Sequence, residues 1–122
     1  MITGKKIPFI DENSSMKKAL SLITKKKLGI LIVINKKKIT TGIITDGQIR
    51  RSTQKNNSVI SLSVKKVMTK NPISVDKDML AVKSLSIMSE NKITSLCVHK
   101  KNKTKKTIGV LHIHYLLDGN IS

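Results

Sequence analysis

Hydrophobic positions along the chain follow two rhythms. Residues 14–26 place Met16, Ala19, Leu20 and Ile23 three and four apart, and residues 76–91 do the same with Met79, Val82, Leu85, Ile87 and Met88. That spacing puts each set on one face of an amphipathic helix. Asn13 or Ser14, and Asp76, stand where the two helices need N-caps. After each helix comes a dense apolar run, residues 28–34 and 95–98, then a Lys/Asn-rich turn and a second run, residues 41–45 and 108–111. Two β-branched runs joined by a short polar segment predict a hairpin. Ahead of each helix lies a short extended piece, residues 7–10 and 73–75, beside a Pro that fixes φ and biases its predecessor away from helix. A further helix is predicted from about Asp46, and again from about His112 to Leu117.

The elements recur because the chain repeats. When residues 6–49 are set against residues 70–116, Pro8 falls opposite Pro72, "ALSLI" opposite "SLSIM", "LGILIV" opposite "ITSLCV", and "TGIIT" opposite "IGVLH". The leading "MITGKKIP" also resembles "MTKNPI" from Met68, so the chain is two copies of one unit of about 60 residues. Each copy reads strand, helix, strand, strand, helix. This predicts an α/β (α+β) fold of two βαββα repeats, residues 1–58 and 68–122, with residues 59–67 as a linker that is polar at first and then weakly helical. Neither copy buries its own apolar surface well, so the two are expected to pack strand layer against strand layer as a pseudo-twofold pair.

Composition narrows the reading. With 122 residues the chain is one compact domain or two small halves sharing a core. Phe9 and Tyr115 are the only aromatic residues, so the core is built from Ile, Leu, Val and Met. The longest apolar stretch, residues 28–34, falls far below the ~20 residues of a membrane helix, and the N-terminus lacks the apolar core of a secretory signal. The single cysteine, Cys97, has no partner in the chain for a disulfide or a cysteine-based zinc site, which suits a reducing cytoplasm. Lys and Arg number 24 against 7 acidic residues, a net charge of +17. Such a charge points first to nucleic acid. Yet all but Arg50 and Arg51 are lysines, scattered along the chain, whereas base readers favour Arg and single-strand binders need aromatic platforms. A solvated Lys-rich surface is the better reading, and a nucleic-acid-binding module is the least favoured one.

The stretch "GIITDGQIRR", residues 42–51, carries the candidate chemistry. A strand ending in Thr45 and feeding a helix at Asp46 or Gly47 presents backbone N–H groups and a hydroxyl to whatever lies above the strand ends, which favours an anion. Arg50 and Arg51, one turn on, are placed to close over a phosphate. The structural alternative is plain: Thr is a good N-cap, and a Gly near a turn often serves only the backbone. His112 and His114 would point to opposite faces of a continuing strand, and no third ligand completes a metal set. Cys97 reads as a buried small hydrophobe, and Asp11 and Glu12 do not read as an acid/base pair. No nucleophile, paired base or metal cluster emerges, so catalysis by this chain alone is not expected.

The pattern "VMT.NPI.V", followed by a helix with "SL.IM" and by "GILIV" and "TGIITDGQIRR", resembles a tandem pair of cystathionine β-synthase (CBS) domains and covers nearly the whole chain. More narrowly, "TDGQIRR", "NKITSLCV" and "GVLHIHYLL" are similar to the C-terminal CBS pair of D-arabinose 5-phosphate isomerases of the Kdo (lipopolysaccharide) pathway, where the corresponding stretches run "TDGDLRR" and "GVLHxHDLL". The resemblance implies a non-catalytic module partnered by an N-terminal sugar isomerase (SIS) domain that interconverts ribulose 5-phosphate and arabinose 5-phosphate, with homodimers of CBS pairs inside a tetramer. It also implies a ligand cleft between the repeats, to which Thr45, Asp46, Gln48, Arg50, Arg51, Thr69, Ile73, Thr94, Ser95, His112, His114 and Tyr115 would contribute. No cofactor is required; the implied effector is an adenine nucleotide, a sugar nucleotide or another small phosphorylated molecule. In nucleotide-binding CBS pairs the hydroxyl of this segment meets phosphate and an Asp three residues later takes the ribose hydroxyls. Here Gln48 stands in place of that Asp, and the second copy has His112 and Tyr115 instead. The alternative is a purely structural dimerisation module with a degenerate cleft.

Overall fold

The structure is a computed structural model that describes residues 1–55, 57–101, 103 and 105–113. In chain order its elements are β1 (Ile2–Thr3), β2 (Phe9–Asp11), α1 (Met16–Lys26), β3 (Ile30–Ile34), β4 (Thr40–Thr45), α2 (Asp46–Lys55), α3 (Val64–Val67), β5 (Thr69–Lys70), β6 (Ser74–Asp76), α4 (Ala81–Asn91), β7 (Ser95–His99) and β8 (Thr107–His112). Short 3-10 turns cover Gly4–Lys6 and Asn57–Ser61.

The chain forms two compact units that do not follow chain order. Unit 2 is residues 8–72, and unit 1 joins residues 1–7 to residues 73–122. Unit 2 holds a sheet of order β2-β3-β4-β5, unit 1 a sheet of order β1-β8-β7-β6. Each is a βαβ crossover with parallel β2·β3 or β6·β7, extended by an antiparallel hairpin. The edge strands are exchanged between the copies. Met1 and Met68 open equivalent stretches, yet β1 pairs with β8 and β5 pairs with β4. Segment 59–67 also belongs with unit 2, where Val59 and Val64 are 4% and 0% exposed.

In unit 2 the helix face predicted from periodicity is the one buried: Met16, Ala19 and Ile23 lie against Leu31, Val33, Ile44 and Ile49. Unit 1 packs Met88 on Val75, Leu96 and Val98. β3 is apolar on both faces because Ile30 and Ile32 are buried as well as Leu31 and Val33, the signature of a strand covered on both sides. Both sheets carry a bulge at the same place, Val33/Ile34 and Val98/His99.

Several boundaries move. α1 starts at Met16 with Ser15 as its N-cap, the hydroxyl accepting from the Lys18 N–H at 3.2 Å, rather than at Asn13 or Ser14. α4 starts at Ala81, not Asp76. Asp76 instead ends β6 opposite His99, and its carboxylate accepts from the Asp78 N–H at 2.9 Å, closing a turn before the helix. Pro8 corresponds to Ile73, one residue past Pro72, because the Ile32 N–H donates to the Pro8 carbonyl as the Cys97 N–H does to Ile73. His112 is the last residue of β8 rather than the first of a helix, and Ile113 follows it in helical conformation; residues 114–117 of that expected helix lie outside the described residues.

Candidate functional site

The β4–α2 turn of unit 2 is built by its neighbours. Ile30 pairs with Thr45 at the end of the hairpin, and the Asp46 N–H donates to the Gly29 carbonyl at 3.0 Å. The helix that follows is capped by Thr45, whose hydroxyl accepts from the Gln48 N–H at 3.2 Å. That bond uses an acceptor lone pair and leaves the O–H free to donate elsewhere. Two glycines make room for charge at this turn. A Cβ on Gly29, which adopts φ +71°, would lie 3.3 Å from Asp46 Oδ2, and a Cβ on Gly47 would lie 3.2 Å from Arg51 Nη1. The Asp46 carboxylate therefore rests over Gly29, and the Arg51 guanidinium folds back over the start of its own helix. An acidic group in the first turn complements the helix dipole. Arg50 is exposed on the next turn.

Gln48 points elsewhere. Its side-chain N–H donates to the Val67 carbonyl, and its Oε1 is buried without a hydrogen-bond partner among the described residues. The amide thus ties α2 to the end of α3. Thr69 is exposed on β5, opposite Ile43, two residues before Thr45 along the neighbouring strand.

The counterpart in unit 1 keeps the backbone pattern and changes the chemistry. Ser95 pairs with His112, and the Ile113 N–H donates to the Thr94 carbonyl at 2.8 Å, matching Asp46 and Gly29. His112 therefore stands where Thr45 does; it is half-buried and engaged in a polar contact. Ser95 is half-buried, Thr94 exposed, and Ile73, 38% exposed, gives its carbonyl to Cys97. His114 and Tyr115 lie outside the described residues.

Sequence reasoning missed Gly29, which lets Asp46 lie close, and Val67, which captures Gln48. It also missed a polar group on the far face of β7. Ser74 Oγ and His99 Nδ1 are 2.6 Å apart, and His99 and Thr107 are buried in register with one another. Cys97 on the same strand face is buried, as expected, and burial pushes its thiol up to about 11, partly offset by a hydrogen bond with Thr107. The only sequence signal for this group was the polar His closing the apolar run "SLCVH".

Comparison with known proteins places these features. A family model described as the CBS domain matches residues 2–54 and again 64–120. Arabinose 5-phosphate isomerase KdsD of Escherichia coli (strain K12) is 36% identical over 121 residues, 99% of this chain and 36% of that protein. The chain thus spans little more than a third of the length of the curated relatives it matches. Among solved structures, the CBS-domain containing protein ATU1752 from Agrobacterium tumefaciens superposes with a TM-score of 0.85 at 17% identity, covering 94% of this chain and 84% of that one. CBSX2 in complex with AMP gives 0.81 at 22%, covering 98% and 91%. At these identities the two structures speak for the fold. Among the described residues no helix is long and apolar enough to cross a membrane.

Proposed function

We propose, from the premise that this chain belongs to the CBS domain family and carries the domain twice, that it is the non-catalytic regulatory module of an arabinose 5-phosphate isomerase. The observation that carries this reading is the similarity to KdsD, 36% identity across 99% of the chain, both repeats included. In this reading an SIS domain supplies the isomerase chemistry, and CBS pairs associate as homodimers within a tetramer. Effector binding reaches the enzyme by favouring one arrangement of the pair over another.

The effector in this reading is a phosphorylated sugar or sugar nucleotide. The Thr45 O–H and the Arg51 guanidinium, folded over the helix start, are the donors a phosphate needs. Asp46 is the carboxylate available to accept from sugar hydroxyls, a role Gln48 does not serve because its side chain is tied to Val67 with its Oε1 buried. AMP, the ligand in the CBSX2 structure, is expected to bind more weakly here, since the usual diol-binding Asp is replaced. Calorimetric titration of the chain with D-arabinose 5-phosphate and with AMP tests this. Heat with the sugar phosphate that disappears in Arg51→Ala and Thr45→Val supports the sensor. No heat with either compound rejects ligand sensing by this chain and favours a module used for assembly alone.

A further inference from the structure

One residue carries both ends of a connection between the β4–α2 turn and the chain leading into β5. The backbone N–H of Gln48 lies in the turn, where it donates to the Thr45 hydroxyl at 3.2 Å. Its side chain donates from Nε2 to the carbonyl of Val67, 19 residues further on. Val67 is the last residue of α3, a helix of four residues whose final carbonyls have no partner within the helix itself. A carbonyl can only accept, so the orientation of the amide is fixed: the NH2 end meets Val67, and Oε1 is the end left over. Gln48 therefore caps the end of α3 while belonging to the first turn of α2.

Beyond Val67 the chain is fixed against β4. The Met68 N–H donates to the Val64 carbonyl at 2.8 Å, Met68 Sδ lies 3.8 Å from Thr41 Oγ1, and Thr69 and Lys70 pair with Ile43 and Gly42. Unit 2 ends at Pro72, and the chain passes into unit 1 at Ile73. The tie to Val67 carries a cost, because Oε1 is buried and has no hydrogen-bond partner among the described residues. An unpaired buried acceptor raises the free energy of the arrangement that holds it there. An arrangement with the amide turned out to water lies correspondingly close to the tied one.

We propose that Gln48 is the positioning residue that couples the β4–α2 turn to residues 67–70, an inference that rests on reading this turn as the effector site. A phosphate at the start of α2 competes with Thr45 Oγ1 for the N–H groups of the first turn, that of Gln48 among them. Drawing on that N–H shifts the residue whose side chain holds Val67, so occupancy of the turn biases the amide between its tied and released states. The end of α3 and the two-residue β5 pairing respond with it, held when the amide is tied and loosened when it is released. The role accounts for an amide at position 48. An ionised Asp there would face the Val67 carbonyl with acceptors only. Gln48 thus makes no contact with the effector and still governs what the effector changes.

The test is a double-mutant cycle read by amide exchange in the full chain. The reference for general opening of unit 2 is the Ile32 amide, which donates to the Pro8 carbonyl at 2.8 Å in a residue that is 0% exposed. Gln48→Met keeps the length of the side chain and loses the donor; it is expected to speed exchange at Met68 about tenfold relative to Ile32. Thr45→Val, which removes the cap of the turn, is expected to speed Met68 about threefold in the native background and to add nothing in Gln48→Met. A residue that only stabilises the unit would speed Met68 and Ile32 together, or let the two substitutions multiply; either result overturns the proposal. Titration with D-arabinose 5-phosphate separates this from the reading it rests on. No heat rejects the effector site and leaves the coupling to be decided by the mutant cycle. Heat in both the native protein and Gln48→Met, with exchange at Met68 changed only in the native protein, supports the coupled sensor, whereas an equal change at Met68 in both overturns the coupling.

Discussion

Gly42 and Gly109 occupy equivalent places under the exchanged edge strands, and replacing each by Ala separates backbone crowding from side-chain crowding. A Cβ on Gly42 would lie 2.7 Å from the Thr69 carbonyl oxygen, 2.6 Å from Met68 Sδ and 2.9 Å from Met68 Cγ. Ordinary contact begins near 3.4 Å, so the carbonyl has to retreat by about 0.7 Å. That carbonyl belongs to β5, which holds β4 through only Gly42↔Lys70 and Ile43↔Thr69, and Met68 is packed against the core of unit 2. Overpacking costs about 1–3 kcal/mol and a strained ladder bond about 1 more, while the stiffer unfolded chain returns about 0.5. Gly42→Ala is therefore expected to destabilise by about 2–3 kcal/mol. On Gly109 the nearest atoms are Met1 Sδ at 2.8 Å and Cγ and the Ile2 carbonyl oxygen at 3.1 Å, and Met1 is 51% exposed. Met1 swings into solvent, and Gly109→Ala costs about 1 kcal/mol or less. Urea unfolding of both variants measures the difference. Equal losses, or a loss below about 0.5 kcal/mol in Gly42→Ala, would show that the edge strands are too loosely held for this reasoning.

Three further outcomes follow from single contacts. Ser15→Ala removes the α1 cap and costs about 1 kcal/mol, whereas Leu80→Asp supplies the cap α4 lacks and gains a similar amount; thermal unfolding reads both. Ser74→Ala leaves the buried His99 ring nitrogen without its 2.6 Å partner and costs about 1–2 kcal/mol, seen in the same assay. The Cys97 thiol is raised from 9.0 to about 11, chiefly by desolvation. A folded-state pKa above the unfolded one favours the neutral thiol, so its contribution is fully present below pH 9 and is lost as pH rises towards 11. Unfolding measured across that window should lose roughly 2–3 kcal/mol, and Cys97→Val should flatten the profile.

Much of the fold was legible because short-range rules fix it. The three-and-four spacing of Met16, Ala19 and Ile23 named the buried face of α1, and the β-branched runs named both hairpins. Asp76 misled because Asp serves equally as an N-cap and as the acceptor of a tight turn; only its pairing with His99 shows that the strand is still running there. The destination of β1 and β5 was not legible, since "MIT" and "MTK" have the same local preferences whichever sheet they join. In the candidate site, residue type and spacing singled out Thr45 and Arg51, and both side chains lie at the start of α2. Gln48 was placed at the ligand because it sits at the family position, and its diversion to Val67 depends on a partner 19 residues away.

The exchanged edge strands have a consequence for the order in which this protein is made. Unit 2 is one continuous stretch, residues 8–72, inserted between the two pieces of unit 1. A nascent chain can complete it as soon as Lys70 reaches the open, with local contacts that form early. Unit 1 has to wait: β1 is made ahead of the whole of unit 2 and has no partner until β8, some 100 residues later, arrives to receive it. During that interval residues 1–7 have no sheet partner, and the C-terminal repeat, cut off from them at its apparent sequence boundary, would present an unprotected β8 edge. A C-terminal repeat expressed on its own needs the sequence of residues 1–7 supplied with it; the span 8–72 needs no such addition.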